Sequence, residues 1–490
     1  MAHRSVDQYY YIRLPVAAAE SAKKDLTLTP RGKDEDAFVV YEELGDGILV
    51  VPRYYGLKNY GVPQGSLDGR SRGLPLNPAV TFCGVLKSMP PQEASVASAL
   101  DVLTSPVGGC ILQLGCGQGK TVCAIALCHA LGRRTAILVN NGKTLLPQWM
   151  DRLAQFLPAA KVGLVRSAQN DLEDPTVDVV VCVIQSLVRR RYNQDVLDTV
   201  GTVIVDECHH VGARVFGQCM RQFKARYTIG LTATPDRKDG LRRYVEWLLG
   251  DVVVRCPTDF LRIYVLRYTY KDAAIRPHTK AKDHLQRCLM VNDAVKDPFR
   301  SLFLLKVTLN IVKESPRSVL LLTERVQQVD DFAEYIRNSG FDGPVARLHG
   351  NVDRADVEAA AGARIVVSSY PMANEALDIP HLDTIVCLTP FVGFIEQIVG
   401  RIVRIARCKC VPLVVDIDDG VGLFAGMART RARWYDRVMV REVATVTVSK
   451  ADTQDQDRYN AVKPSAVVPQ WLSEPDPWNT DTGCTATKVD

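Results

Sequence analysis

The chain is 490 residues long, with 47% hydrophobic and 23% charged residues and a formal net charge of +5. This is ordinary for a soluble globular protein of roughly two to four domains, and so mild a charge does not by itself argue for nucleic acid. The 14 cysteines show no paired spacing, which argues for free thiols in a reducing compartment over disulfides or a zinc site. No apolar run reaches the ~18 residues of a membrane span, and the first residues have no signal-peptide core. The expected location is intracellular, in cytoplasm or nucleus, without a membrane partner.

Residues 1–85 read as a small α/β accessory module. Ala37-Phe-Val-Val-Tyr41 and Gly47-Ile-Leu-Val-Val-Pro52 predict short strands, and Gly65 to Gly73 predicts a loop. Two roles stand open for it: engaging DNA or orienting the next domain, and bracing the fold. Over 86–255, apolar runs near Ile111, Ala136–Val139, Val177–Ile184, Val203–Val205 and Tyr227–Leu231 alternate with helical patterns. That alternation predicts a parallel sheet covered on both faces. Residues 256–300 read as a connector. Within it, Arg262 to Lys271 mixes basic and aromatic residues, as an edge strand with a charge-protected face does, or as a surface that stacks on nucleic acid does. A second alternating unit spans 301–435, with strands at Ser318–Leu322, Ala363–Ser368, Thr384–Leu388 and Val411–Asp416. Gly422 to Arg441 reads as a helix whose Arg429, Arg431, Arg433 and Arg437 face solvent or meet phosphate. Residues 436–490 hold the end of this helix and, from about 451, a disordered acidic tail.

The chemistry concentrates in a few segments. Leu114-Gly-Cys-Gly-Gln-Gly-Lys120-Thr121 follows an apolar strand and leads into a helical pattern. Glycines at such a turn let main-chain N–H groups close around phosphate oxygens, and the helix N-terminus adds positive dipole. Leu114, Gly115, Cys116, Gly117, Gln118, Gly119, Lys120 and Thr121 therefore form the candidate phosphate loop. Lys120 is placed to reach the outer phosphates and the Thr121 hydroxyl to hold Mg²⁺. Thr202-Val-Ile-Val-Asp206-Glu207 is a strand ending in two carboxylates. The first suits the Mg²⁺ shell and the second suits polarising a water. Far downstream, Gln397-Ile-Val-Gly400-Arg401-Ile-Val-Arg404 puts two arginines on one helix face.

These segments resemble the motifs of superfamily 2 helicases and translocases. GCGQGKT resembles motif I, DECH motif II, TAT motif III and QIVGRIVR motif VI. Asn140 to Trp149 is similar to motif Ia, Val183 to Leu187 to motif Ib, Leu320 to Glu324 to motif IV and Ser368 to Pro380 to motif V. Thr232 to Leu241 resembles the branch of the XPB-type helicases and the type III restriction translocases. Val51 to Gly56, Phe82 to Leu86 and Asp206 to Phe216 resemble the transcript-release helicases of large cytoplasmic DNA viruses. The departures are Pro91 where an aromatic usually precedes the motif glutamine, Asn140-Asn141 in motif Ia and Ala376 in motif V.

The resemblance implies an α/β fold of two tandem RecA-like domains. It implies ATP and Mg²⁺ as cofactors and a DNA-driven ATP hydrolase, acting in viral or cellular transcription or repair. Lys120, Asp206, Glu207, Gln397, Arg401 and Arg404 would be catalytic, with the two arginines reaching the γ-phosphate from the second domain. Thr121 and Asp206 would hold Mg²⁺. Gln92 and Asp378 would touch the nucleotide, and His209, Thr232 and Thr234 would couple its state to the strand. The expected partner is DNA, single- or double-stranded, held by its phosphates. RNA remains possible, as does a partner from the transcription machinery, and the expected state is monomeric. Two alternatives stay open: an RNA helicase, and a nucleic-acid-binding scaffold without a working motor.

Overall fold

The structure is a computed structural model. It describes residues 4–29, 37–63, 67–88, 91–115, 118–140, 145–209, 213–233, 240–255, 263–279, 283–350, 352, 354–375, 379–391, 395–403, 410–436 and 440–475. The chain separates into two compact units, Met1–Pro257 and Thr258–Asp490.

The first unit is built on an eight-stranded sheet. Its centre runs Thr135–Val139, Thr202–Val205, Tyr227–Thr232, Gly109–Gln113, in that spatial order and all parallel. Strands Val179–Val183 and Val162–Arg166 extend it beyond Thr135–Val139, and Val252–Arg255 lies outside Gly109–Gln113. These strands are short runs of Val, Ile and Leu, and the central ones are buried along their length. Burial on both faces is what continuous apolar runs in a parallel sheet predict. Helices Gln92–Thr104, Lys120–Leu131 and Leu145–Phe156 cover one face, within the core formed by Leu103, Ile125, Trp149 and Leu153. Strand order matters for function. Chain neighbours Gly109–Gln113 and Thr135–Val139 are separated in space by two later strands, so three sequence-distant loops open at the same sheet edge. Ligands in open parallel sheets bind at such a reversal of strand order.

The accessory module is an antiparallel four-stranded sheet, Arg4–Val6, Tyr9–Arg13, Ile48–Pro52 and Glu42–Leu44 in spatial order. Its helix Arg53–Tyr60 docks on the first large sheet. Arg53, 4% exposed, donates to the carbonyls of Ala225 (2.7 Å) and Phe223 (3.0 Å). The Tyr54 hydroxyl meets Thr228 Oγ1 at 2.5 Å. Tyr54 also lies against Gly109, where a Cβ would fall 2.2 Å from the ring. These are the contacts of a brace, made on the two strands that lead to the phosphate loop and to Thr232.

The second unit is a seven-stranded, all-parallel sheet: Val345–Leu348, Ile365–Ser369, Val319–Thr323, Thr384–Cys387, Leu413–Asp418, Ile263–Tyr270, Val440–Val448. The segment expected to connect the units therefore contributes a core strand. Ile263–Tyr270 lies between two neighbours, with Tyr264, Tyr268 and Tyr270 buried, so it is neither an edge strand nor a nucleic-acid track. Its alternating tyrosines look surface-like in sequence because the helices that cover them come from far along the chain. Helix Pro298–Glu314 starts at Asp297, whose carboxylate accepts from the N–H groups of Phe299 and Arg300.

The C-terminal segment also differs from expectation. Residues expected to be a disordered tail from about 451 fold into helices Lys450–Gln454, Gln456–Val462, Pro464–Val467 and Pro469–Ser473. Trp471 stacks on Tyr264 with ring centres 4.4 Å apart, and Asn310 Nδ2 donates to Ser465 Oγ. A few well-placed aromatic residues suffice here where aliphatic content alone suggests no core; residues 476–490 lie outside the described ones. Arg431 corrects the reading of its helix face as solvated or phosphate-facing. It is 2% exposed and bonds Asp416 (2.8 Å) and the carbonyls of Phe391 and Ile417. Arg429 and Arg433 are exposed as expected.

Candidate nucleotide site

Three neighbouring strands of the first unit end at one edge, and each delivers part of the site. Strand Gly109–Gln113 runs into the candidate phosphate loop, which re-enters structure as helix Lys120–Leu131. Gly119 heads that helix with φ +85°, a left-handed conformation that glycine adopts without strain. The loop is tied to the sheet by Leu114 N–H donating to the Thr232 carbonyl at 3.0 Å. It is closed on itself by Gln118, whose Oε1 accepts from Gly115 N–H at 2.5 Å. Cys116 and Gly117 lie outside the described residues.

Strand Thr202–Val205 delivers the two carboxylates. Asp206 is 6% exposed and held on three sides. Its main-chain N–H donates to the Leu138 carbonyl. Its Oδ1 accepts from Glu207 N–H at 2.9 Å, and its Oδ2 accepts from the Trp149 indole N–H at 2.8 Å. Burial first, and the adjacent Glu207 charge second, push its carboxyl up to about 6, against the pull of Trp149 and Lys120. Glu207 has φ +46°, a strained conformation for a residue with a side chain. Its carboxylate lies 3.6 Å from the Lys120 ammonium, which also donates to the Leu114 carbonyl.

Strand Tyr227–Thr232 completes the group. The Thr232 hydroxyl meets His209 Nδ1 at 2.7 Å, and the same nitrogen is 3.4 Å from Glu207 Oε2. Lys120, Glu207, His209 and Thr232, which span more than a hundred positions in sequence, form one contiguous polar chain. Thr234 lies outside the described residues.

Gln92 is placed differently from a residue that presents its amide to a base. It is buried against the back of the loop, donating to the Gln118 carbonyl at 3.2 Å and accepting from Lys87 N–H at 3.1 Å. A Cβ on Gly119 would fall 2.2 Å from its amide nitrogen. The structure thus gives Gln92 the part of a loop brace. Trp149 is the site residue that sequence reasoning missed. Its only signal was its place in the segment similar to motif Ia, which says nothing of a bond to Asp206.

In the second unit, Arg401 is half-buried near the end of helix Ile395–Ile402, beside the buried Ile398, Val399 and Ile402. Arg404, Asp378 and the side chain of Gln397 lie outside the described residues.

The donor set fits a magnesium nucleoside triphosphate. Asp206 and Thr121 offer hard oxygens, the first turn of helix Lys120–Leu131 offers N–H groups, and Lys120 offers an ammonium. Two crowded carboxylates also gain from a nearby dication.

Comparison with known proteins agrees with this chemistry. The family described as "Type III restriction enzyme, res subunit" matches residues 86–237. A protein named "Putative ATP-dependent RNA helicase" from Acanthamoeba polyphaga mimivirus is 28% identical over 413 residues, covering 81% of this chain and 77% of its own. Residues 86–237 thus match the type III restriction res-subunit family, and the relatives that cover most of the chain are viral proteins named as helicases. An African swine fever virus protein, also named "Putative ATP-dependent RNA helicase", is 25% identical over 370 residues, covering 71% of this chain and 72% of its own. Among solved structures, S. cerevisiae Dbp5 bound to RNA and ADP BeF3 matches this chain with a TM-score of 0.52. The match is 14% identical and covers 75% of this chain and 91% of Dbp5. That likeness shows the fold: two tandem RecA-like domains, as the motifs imply. Among the described residues, no helix is long and apolar enough to cross a membrane.

Proposed function

We propose that this superfamily 2 protein is an ATP-dependent DNA helicase or translocase. The observation that carries the reading is the convergence of Lys120, Asp206, Glu207, His209 and Thr232 at one sheet edge. A fold brace would not need two adjacent carboxylates, one buried and one strained, facing an ammonium.

In this reading Lys120 and the loop N–H groups bind and orient the phosphates. Thr121 and Asp206 would hold Mg²⁺, which would neutralise phosphate charge. Glu207 takes the proton of the attacking water, with the Lys120 ammonium 3.6 Å from its carboxylate. Arg401 and Arg404 supply the positive charge that phosphoryl transfer demands. His209 links Glu207 to Thr232, and so links the state of the nucleotide to the strand end that continues into the third motif. Asp378 and Gln397 serve as further contacts to the nucleotide.

DNA is preferred because the chain lacks the full glutamine motif and the Ser-Ala-Thr form of motif III usual in DEAD-box-like RNA enzymes. Gln92, buried behind the loop, fits that departure. RNA is the second reading, favoured by the names of the mimivirus and swine fever virus relatives. A role in viral transcription is part of the proposal and rests on the resemblance of Val51 to Gly56, Phe82 to Leu86 and Asp206 to Phe216 to transcript-release helicases. The test is the ATPase rate without nucleic acid and with single-stranded DNA, double-stranded DNA and RNA. Stimulation by DNA, weakening steeply with salt because the contacts are to phosphates, is expected. Stimulation by RNA alone selects the second reading, and no turnover at all selects a scaffold.

A further inference from the structure

Asp206 is held by a donor from outside its own strand and loop. The Trp149 indole N–H lies 2.8 Å from Oδ2, and Trp149 is 1% exposed. Indole is a donor only, and it is neutral. It can fix a carboxylate without competing for it electrostatically, as a lysine or a protonated histidine would. Each Asp206 oxygen accepts one N–H, Oδ1 from Glu207 and Oδ2 from Trp149. A carboxylate oxygen has two lone-pair sites, so each retains one for a cation or its water. The carboxylate is thereby fixed by two donors, one on each oxygen.

The support of Trp149 is shared with the other expected Mg²⁺ donor. Helix Leu145–Phe156 packs on helix Lys120–Leu131, whose first two residues are Lys120 and Thr121, and on strand Val179–Val183. One helix thus bears on both sides of the proposed metal position. Asn140, at the end of strand Thr135–Val139, accepts through Oδ1 from Gln185 Nε2 at 2.8 Å. Any buried indole N–H needs an acceptor; what marks Trp149 is that its acceptor is the Asp206 carboxylate rather than a main-chain carbonyl.

We infer that Trp149 is the positioning residue of the Mg²⁺-binding carboxylate, and that helix Leu145–Phe156 ties the metal side of the site to the body of the first unit. The inference rests on the reading of Asp206 as a metal ligand. Groups in this position around metal sites typically contribute about 10- to 100-fold to metal affinity or activity.

The test is Trp149→Phe in the full chain, which keeps the buried ring and removes the N–H. ADP binding is measured by calorimetry with and without MgCl₂, alongside the Mg²⁺ concentration for half-maximal ATPase. The Mg²⁺-dependent gain in ADP affinity is expected to fall roughly tenfold or more, with Mg²⁺-free ADP affinity unchanged and half-saturation moved to higher Mg²⁺. In an Asp206→Asn background the same substitution should have no further effect on that gain, since the two residues act as one unit. A tryptophan that merely fills space predicts the opposite: lower melting temperature, equal losses with and without Mg²⁺, and additivity with Asp206→Asn. Either that pattern, or a Trp149→Phe protein with wild-type Mg²⁺ dependence, overturns the inference. Failure of the underlying reading is seen separately, in the unsubstituted protein, as nucleotide binding indifferent to Mg²⁺.

Discussion

Substituting Asp206 should reveal an energetic conflict inside the site. Its carboxyl is raised from 3.8 to about 6 by burial and by Glu207. A shift of roughly 2 units corresponds to about 3 kcal/mol between the two protonation states. The sign comes from linkage. A group whose folded value is raised contributes stability that is complete below its unfolded value and is lost as pH rises through the folded one. In the metal-free protein the ionised carboxylate is therefore a destabilising feature at pH 7.5. Asp206→Asn removes the charge but leaves a single acceptor oxygen for two donors, the Trp149 and Glu207 N–H groups. An orphaned buried donor costs about 1–3 kcal/mol, independent of pH. The absolute change at one pH is thus a near-cancellation, while its pH dependence is not. About 1.4 kcal/mol of the linkage falls between pH 5 and 7.5. At about 2–4 °C per kcal/mol for a unit of this size, the melting temperature of the variant relative to the parent should climb by about 3–5 °C across that range. The assay is thermal melting with EDTA at pH 5, 6, 7 and 7.5, following the transition of the first unit. A difference that stays flat, or declines with rising pH, would refute the account of Asp206 as a carboxylate held against its charge.

Two other substitutions probe the chemistry. Lys120→Ala removes the ammonium beside Leu114 O and Glu207, and ATPase should drop at least about a hundredfold; a loss under about tenfold counts against the phosphate-loop assignment. Arg401→Ala and Arg404→Ala should leave ATP affinity nearly intact and cut turnover by roughly 10³-fold. A melting curve on the same variants separates this from a folding defect, and wild-type turnover in a stable protein removes the finger assignment.

Legibility in the sequence tracks how locally a role is encoded. A glycine-rich turn between an apolar strand and a helix, and a strand ending in two acids, each state their role within about ten residues. Lys120, Asp206 and Glu207 stood out as candidates for that reason, and the parallel sheet on which they sit was readable. Trp149 was not, because its partner is 57 positions away and any buried tryptophan produces the same apolar pattern. Gln92 was read as a contact to the base, but one glutamine carries no sign of whether its amide turns towards a ligand or towards the loop behind. The C-terminal helices were missed on composition: four short elements with few aliphatics bury themselves through Trp471 on Tyr264 and Tyr459 near Phe303.

The accessory module shows the same limit from the other direction. Its run Val51-Pro-Arg-Tyr-Tyr-Gly56 stood out by resemblance, without a mechanism. The structure supplies one, because its residues land on specific partners. Arg53 satisfies the carbonyls of Phe223 and Ala225 just ahead of strand Tyr227–Thr232. Tyr54 bonds Thr228 on that strand and fills the space that Gly109 leaves beside the next one. Gly56 admits the Tyr10 ring from the module's own sheet, where a Cβ would fall 2.1 Å from it. Strand Gly109–Gln113 ends in the phosphate loop, and strand Tyr227–Thr232 ends at the hydroxyl that meets His209. The two are hydrogen-bonded neighbours in register from Thr228–Gly109 to Thr232–Gln113. A plug at one end of this pair fixes the spacing that the other end presents to the nucleotide. On the proposed reading the module would bear on the nucleotide through the backbone of these two strands, which Arg53 and Tyr54 contact.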